Sequence, residues 1–149
     1  MKYLLDVAQI LGVLIKYADL SRRDRDGEYD HERRIIWLQH GMSYRLKRSV
    51  LAHELAHAIF GDEPTMFGPV NAKQERRADE WAARTLIRLE DFKAAEAAHN
   101  GHVASMANDL DVITDLVEAY QRILARIGDT VYLRPRMGVG QWDHREKVA

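Results

Sequence analysis

His53-Glu54-Leu55-Ala56-His57 is the run whose residue types and spacing read most directly as chemistry. In a helix, positions four apart stand one turn apart on one face, so the two imidazoles can converge on a single ion. Glu54, beside the first histidine, would overhang the coordination position that the ligands leave open. A shuffled chain of this composition contains such a pentad roughly 2% of the time, so the neighbouring residues matter. Ala52, Ala56 and Ala58 are small, and Leu51, Leu55 and Ile59 supply apolar faces, as a packed helix requires.

Two imidazoles do not complete a catalytic zinc site, which takes three protein ligands and keeps one position for water. The chain has no Cys, so the third ligand must be a histidine or a carboxylate. The best-placed candidate is Glu75, in Glu75-Arg76-Arg77-Ala78-Asp79. Glu75 and Asp79 are one helical turn apart and point the same way. The first suits a metal ligand, the second an acceptor for a ligating imidazole N–H. Glu80 is a rival that lies off this face. The loop containing Pro64 and Pro69 lets the chain turn back between the two segments.

The composition narrows the classes of function. The 149 residues carry 22 Lys+Arg, 23 Asp+Glu and 7 His, with a formal net charge of -1. That length is one domain by the usual prior, long enough to bury a core without covalent staples. The absence of Cys excludes disulfides, thiolate catalysis, iron–sulfur clusters and thiolate zinc sites. A net charge near zero disfavours a dedicated nucleic-acid binder. The apolar start of the chain is interrupted by Asp6 and Gln9, and no small-residue cleavage site follows, so a cytoplasmic location is expected. The longest apolar stretch, Ile10 to Ile15, is far short of a membrane span.

The elements that must position the pentad follow from periodicity. Leu4, Leu5, Ala8 and Leu11 predict a short helix ending near Gly12. Val13–Tyr17 and Arg34–Gln39 predict two strands that pair as a hairpin over a long connection, with Asp26-Gly27 as a turn. Ser43 is placed to cap a helix running through the pentad to Phe60 and stopping at Gly61. A helix over Ala72–Leu89 follows, then shorter ones over Asp91–Ala98, Val103–Leu110 and Ile113–Ile127, and a short strand at Thr130–Leu133. The expected fold class is α+β, helix-rich, with a small antiparallel sheet near the start.

His53-Glu54-Leu55-Ala56-His57-Ala58, preceded by Leu51-Ala52 and followed by Glu75-Arg76-Arg77-Ala78-Asp79-Glu80-Trp81-Ala82-Ala83-Arg84-Thr85-Leu86-Ile87, resembles the ImmA/IrrE-type metallopeptidases. Their pattern is a helix with "AHELxH" and then "ExxAD/N-x-F-A-A-x-L-L". Trp81 stands where Phe is usual, and Leu89 near where a Pro commonly ends the second helix, which predicts a longer helix here. The resemblance covers roughly residues 7–126. It implies a zincin-like, gluzincin-type domain over residues 1–127 that includes a C-terminal helix-turn-helix-like segment. Residues 128–149 are left as a short strand and a loose tail.

The resemblance also implies one Zn2+ held by His53, His57 and Glu75, with Glu54 as the catalytic acid/base. It implies a zinc endopeptidase whose protein substrate is a transcriptional repressor of a phage, mobile element or stress pathway. The alternative is a zinc-containing module that controls a repressor by docking, without proteolysis. Asp109, Asp111, Asp115 and Glu118 make the C-terminal helices acidic, so direct nucleic-acid binding is not expected, nor is a membrane partner. A donor for the developing oxyanion is also needed. Tyr44, Tyr29, His99 and His102 are candidates among which the sequence does not choose. His31, His40 and His144 have no ligand spacing.

Overall fold

The computed structural model describes residues 1–127. The chain divides into two compact units, one spanning Met1–Ala82 and one beginning at Ala83. The first unit opens with α1 (Lys2–Leu11), which buries Leu4 and Ala8 and stops where Gly12 turns left-handed, with φ at 70°. The N–H groups of Gly12 and Val13 close on the carbonyls of Gln9 and Ala8, so the helix end leaves no stranded acceptors there.

Three strands follow: β1 (Leu14–Ala18), β2 (Gly27–Asp30) and β3 (Ile35–Gln39), with a short 3-10 turn at Ser21–Arg23. The order across the sheet is β1-β3-β2. β2 and β3 are antiparallel, with Gly27 opposite Leu38 and Tyr29 opposite Ile36. β1 and β3 are parallel, with Leu14 opposite Ile35 and Ala18 opposite Gln39. The sheet is therefore mixed, which corrects the expected antiparallel sheet and the direct hairpin between its two predicted strands. The reason is a strand within the charged connection. Gly27 opens β2 instead of making a turn, β2 hairpins into β3, and β3 thereby runs beside β1 in the same direction.

The turn of that hairpin lies at residues 31–34. The Asp30 carboxylate accepts from the Arg33 backbone N–H at 3.0 Å and from its guanidinium at 2.8 Å. Arg34 takes a positive φ of 58°. An Asp side chain thus supplies the closure that glycine supplies in commoner turns. Ile36 and Leu38 on the central strand are fully buried.

The sheet packs against α2 (Tyr44–Phe60), as does α1. Ser43 caps α2 by accepting the Leu46 N–H at 3.2 Å, and Gly61 ends it at φ 67°. α3 (Gly68–Leu86) begins before and ends before the predicted Ala72–Leu89. Pro69 sits in its first turn, where the missing N–H has no intrahelical partner to lose. The helix does not run on through Leu89, because Arg88 is extended and a new helix starts there.

The second unit contains α4 (Leu89–His99), α5 (Val103–Leu110) and α6 (Thr114–Arg126). Left-handed Asn100 and Asp111 end the first two. Phe92, Met106, Leu116 and Val117 form its buried centre, with the Phe92 and Tyr120 rings 4.9 Å apart. The fold is α+β and helix-rich, as expected from the periodicity. The predicted strand at residues 130–133 and the tail lie outside the described residues. No helix among the described residues is long and apolar enough to cross a membrane.

Candidate metal centre

α2 presents His53 and His57 one turn apart, and α3 brings Glu75 to them. His53 Nε2 and His57 Nε2 are 3.1 Å apart. Glu75 places Oε2 3.1 Å from His53 Nε2 and Oε1 3.2 Å from His57 Nε2. Two ligand atoms bonded at about 2.0–2.1 Å to one tetrahedral ion stand about 3.3 Å apart. The two nitrogens are near that spacing and the two Glu75 oxygens each lie against one of them, so together the three side chains form a group that could hold a metal ion.

The opposite edge of each imidazole is occupied by a carboxylate. His53 Nδ1 lies 2.7 Å from Asp79 Oδ1, and His57 Nδ1 lies 2.9 Å from Asp62 Oδ2. A carboxylate at Nδ1 takes the ring's N–H and turns the Nε2 lone pair outward, the arrangement metal-binding histidines commonly use. Asp79 is where the spacing in α3 predicts it. Asp62 was not anticipated. It is buried and receives the Arg77 guanidinium from α3. Arg77 in turn lies over the Phe60 ring, 4.1 Å from its centroid.

Local folding explains Asp62. Gly61, left-handed, reverses the chain at the end of α2, so that the Asp62 N–H bonds the His57 carbonyl at 2.9 Å. This is the backbone pattern of a Schellman turn, in which the second residue beyond the helix lies against the last turn. Usually that contact is apolar. Here it is a carboxylate on an imidazole.

Four carboxylates, Glu54, Asp62, Glu75 and Asp79, crowd two imidazoles, and the charge balance favours a cation among them. Burial pulls the His53 pKa down, but hydrogen bonds to Asp79 and Glu75 and the nearby Glu54 charge overcome it and raise the pKa to about 10. His57 follows the same logic: burial lowers it, while Glu75 and Asp62 outweigh that and raise it. Hydrogen bonds from His53 and then His57 hold the Glu75 pKa well below the usual carboxylate range. Burial raises the Glu54 pKa, against the opposing charges of the two histidines. Glu54 is thus a buried carboxyl with raised proton affinity, on α2 beside the ligand group.

Of the candidate oxyanion donors, Tyr44 lies exposed at the start of α2. Tyr29 is buried on β2, its hydroxyl 3.0 Å from His31 Nδ1 and accepting from Arg34 at 3.1 Å. His99 pairs with Asp109 at 2.7 Å, and His102 caps α5. Both belong to the second unit. Tyr29 stands on the strand that lies along α2.

His53, His57 and Glu75, with carboxylates behind both imidazoles and buried Glu54 alongside, form a His₂Glu group that could hold a metal ion. The family model of the IrrE N-terminal-like domain, Peptidase_M78, matches residues 8–120, and the chain belongs to that family. The family is of metallopeptidase type, in keeping with the site. No curated protein matches the chain.

Proposed function

We propose that this protein is a zinc-dependent endopeptidase that hydrolyses a peptide bond in a protein partner. The observation that carries this is the convergence of His53 Nε2 and His57 Nε2, 3.1 Å apart, on the Glu75 carboxylate, whose two oxygens lie 3.1 and 3.2 Å from them, beside buried Glu54. Two nitrogens and one carboxylate oxygen form a donor set that suits zinc and leaves a coordination position open. When bound, zinc would supply Lewis acidity toward a carbonyl oxygen and a water that ionises near neutral pH.

The chain's own residues do the rest. Glu54, with its raised proton affinity, takes a proton from the attacking water as the water oxygen joins the carbonyl carbon. It then delivers that proton to the amide nitrogen as the C–N bond breaks, leaving a carboxylate and an amine. Asp79 and Asp62 keep the two imidazoles in the orientation ligation needs. β2 stands at one edge of the sheet next to α2, and an extended substrate segment can add there as a further strand.

The partner is a transcriptional repressor of a phage, mobile element or stress pathway, and the site is cytoplasmic. This part rests on the resemblance of the two motifs. The acidic α5 and α6, with Asp109, Asp111, Asp115 and Glu118, favour a protein partner over nucleic acid. The test is co-expression with the repressor encoded nearest the gene. Cleavage is expected, and Glu54→Gln should abolish it while keeping about one zinc per chain. Relief of repression that survives in Glu54→Gln would show control by docking instead.

A further inference from the structure

Glu54 does not hold its place alone. Gly27, the first residue of β2, lies against the turn of α2 from which Glu54 projects. A Cβ at Gly27 would stand 2.5 Å from Val50 Cγ1, 3.1 Å from Glu54 Cγ and 3.2 Å from Glu54 Oε1. Val50 and Glu54 are four residues apart, so they share a helix face, and the backbone at Gly27 covers both. Val50 and Glu54 are both buried. Val50 is β-branched and has almost no alternative rotamer in a helix. The Glu54 side chain is the flexible member of the contact. A side chain at position 27 would overlap Val50 and press on the Glu54 side chain, which is the member free to move. Tyr29, on the same face two residues along, is buried as well, and Gly27 pairs with Leu38 on the central strand, so β2 has little freedom to withdraw.

We propose that Gly27 is a positioning residue: its bare backbone forms the wall that fixes where the Glu54 carboxylate stands beside the metal ligands. This deepens the reading of Glu54 as the acid/base of a zinc peptidase and depends on it. The three atoms nearest a Cβ at position 27 belong to Val50 and Glu54, not to a metal-ligand candidate, so the test reads metal binding and Glu54 placement separately.

The test uses full-length zinc-loaded protein and acetohydroxamate as probe, since a hydroxamate on zinc also hydrogen-bonds a carboxylate beside the ion. Four variants are compared with wild type: Gly27→Ala, Val50→Ala, Gly27→Ala with Val50→Ala, and Glu54→Gln. Val50→Ala removes the methyl that would clash, so the double variant separates loss of fold from loss of Glu54 placement if Gly27→Ala alone does not fold. The expected result is full zinc content and a Val50→Ala-like melting temperature in the double variant. Its acetohydroxamate affinity should fall about tenfold or more, as in Glu54→Gln, and kcat on a cleavable partner should fall with KM held. If Glu54→Gln weakens the hydroxamate and the double variant does not, the Gly27 proposal is overturned while the assignment of Glu54 stands. If Glu54→Gln binds it like wild type, the assignment of Glu54 fails and the Gly27 proposal falls with it.

Discussion

The carboxylate of Asp62 lies 2.9 Å from Nδ1 of His57, five residues back along the chain. The two meet because Gly61 turns left-handed between them and folds the chain onto the last turn of α2. One backbone device therefore ends the helix and also orients a candidate metal ligand. Arg77 from α3 holds the other Asp62 oxygen, so the helix that brings Glu75 also steadies the residue behind His57.

Replacing Asp62 by Ala is expected to weaken metal binding about 10- to 100-fold, the usual cost of removing a carboxylate behind a ligating imidazole. Competition against a chelating indicator measures it. An unchanged affinity would remove Asp62 from the metal centre. Asp62→Asn keeps an acceptor oxygen and should lose less than Asp62→Ala.

Gly61→Ala should act on stability and metal affinity together. Gly61 sits at φ 67°, and the left-handed conformation costs a non-glycine residue about 1–2 kcal/mol because its Cβ crowds the following carbonyl. The melting temperature of the metal-free protein should drop by several degrees, to the order of 5 °C. Any relaxation of the turn also moves Asp62 from His57. Metal affinity should therefore fall in Gly61→Ala but not in Gly12→Ala, which has the same strain at φ 70° far from the ligands in sequence.

The candidate ligand group was legible in the sequence because helical periodicity alone aligns His53 with His57 and Glu75 with Asp79. So were the ends of α2, where Ser43 and Gly61 carry their own local chemistry. β2 was not. Gly27-Glu28-Tyr29-Asp30 has a single residue with strand preference, and its hairpin turn is closed by the Asp30 side chain in place of a glycine. Missing that strand made two parallel strands look like an antiparallel pair. Asp62 did leave a signal, since a glycine ending a helix throws the next residue back over the preceding turn. Gly27 left none, because its contact with Glu54 comes from the packing of β2 on α2, which no local pattern encodes.

The metal-free protein should lose stability as pH rises. His53 is raised from 6.5 to about 10 in the folded chain, and a raised pKa stabilises the fold below the unfolded value and ceases to do so as pH climbs through the folded one. His57 shifts the same way. Glu75 is lowered and acts in the opposite sense, its contribution fading only as pH falls below the ordinary carboxylate range. The expected optimum of the chelator-treated protein is therefore near pH 5–6.5, with a falling melting temperature from there to pH 10. A melting temperature flat across that range would contradict the raised proton affinity of the two histidines.

Zinc should reverse that trend. Ligation needs both Nε2 lone pairs free, and in the metal-free site both imidazoles hold protons more tightly than ordinary histidines, Glu75 lying within 3.2 Å of both nitrogens. The ion must displace them, so binding releases protons and strengthens as pH rises. At a free zinc concentration 100 times Kd the fold gains about 2.7 kcal/mol. The zinc-induced rise in melting temperature should therefore be larger at pH 8 than at pH 6 for the same total zinc. Calorimetric binding enthalpies should differ between buffers of different ionisation enthalpy, reporting the released protons directly. In Glu75→Gln the carboxylate that holds those protons is gone, and so is one ligand. Zinc affinity should drop, and the buffer dependence should shrink with it. Loss of affinity with the buffer dependence intact would place the protons on other groups.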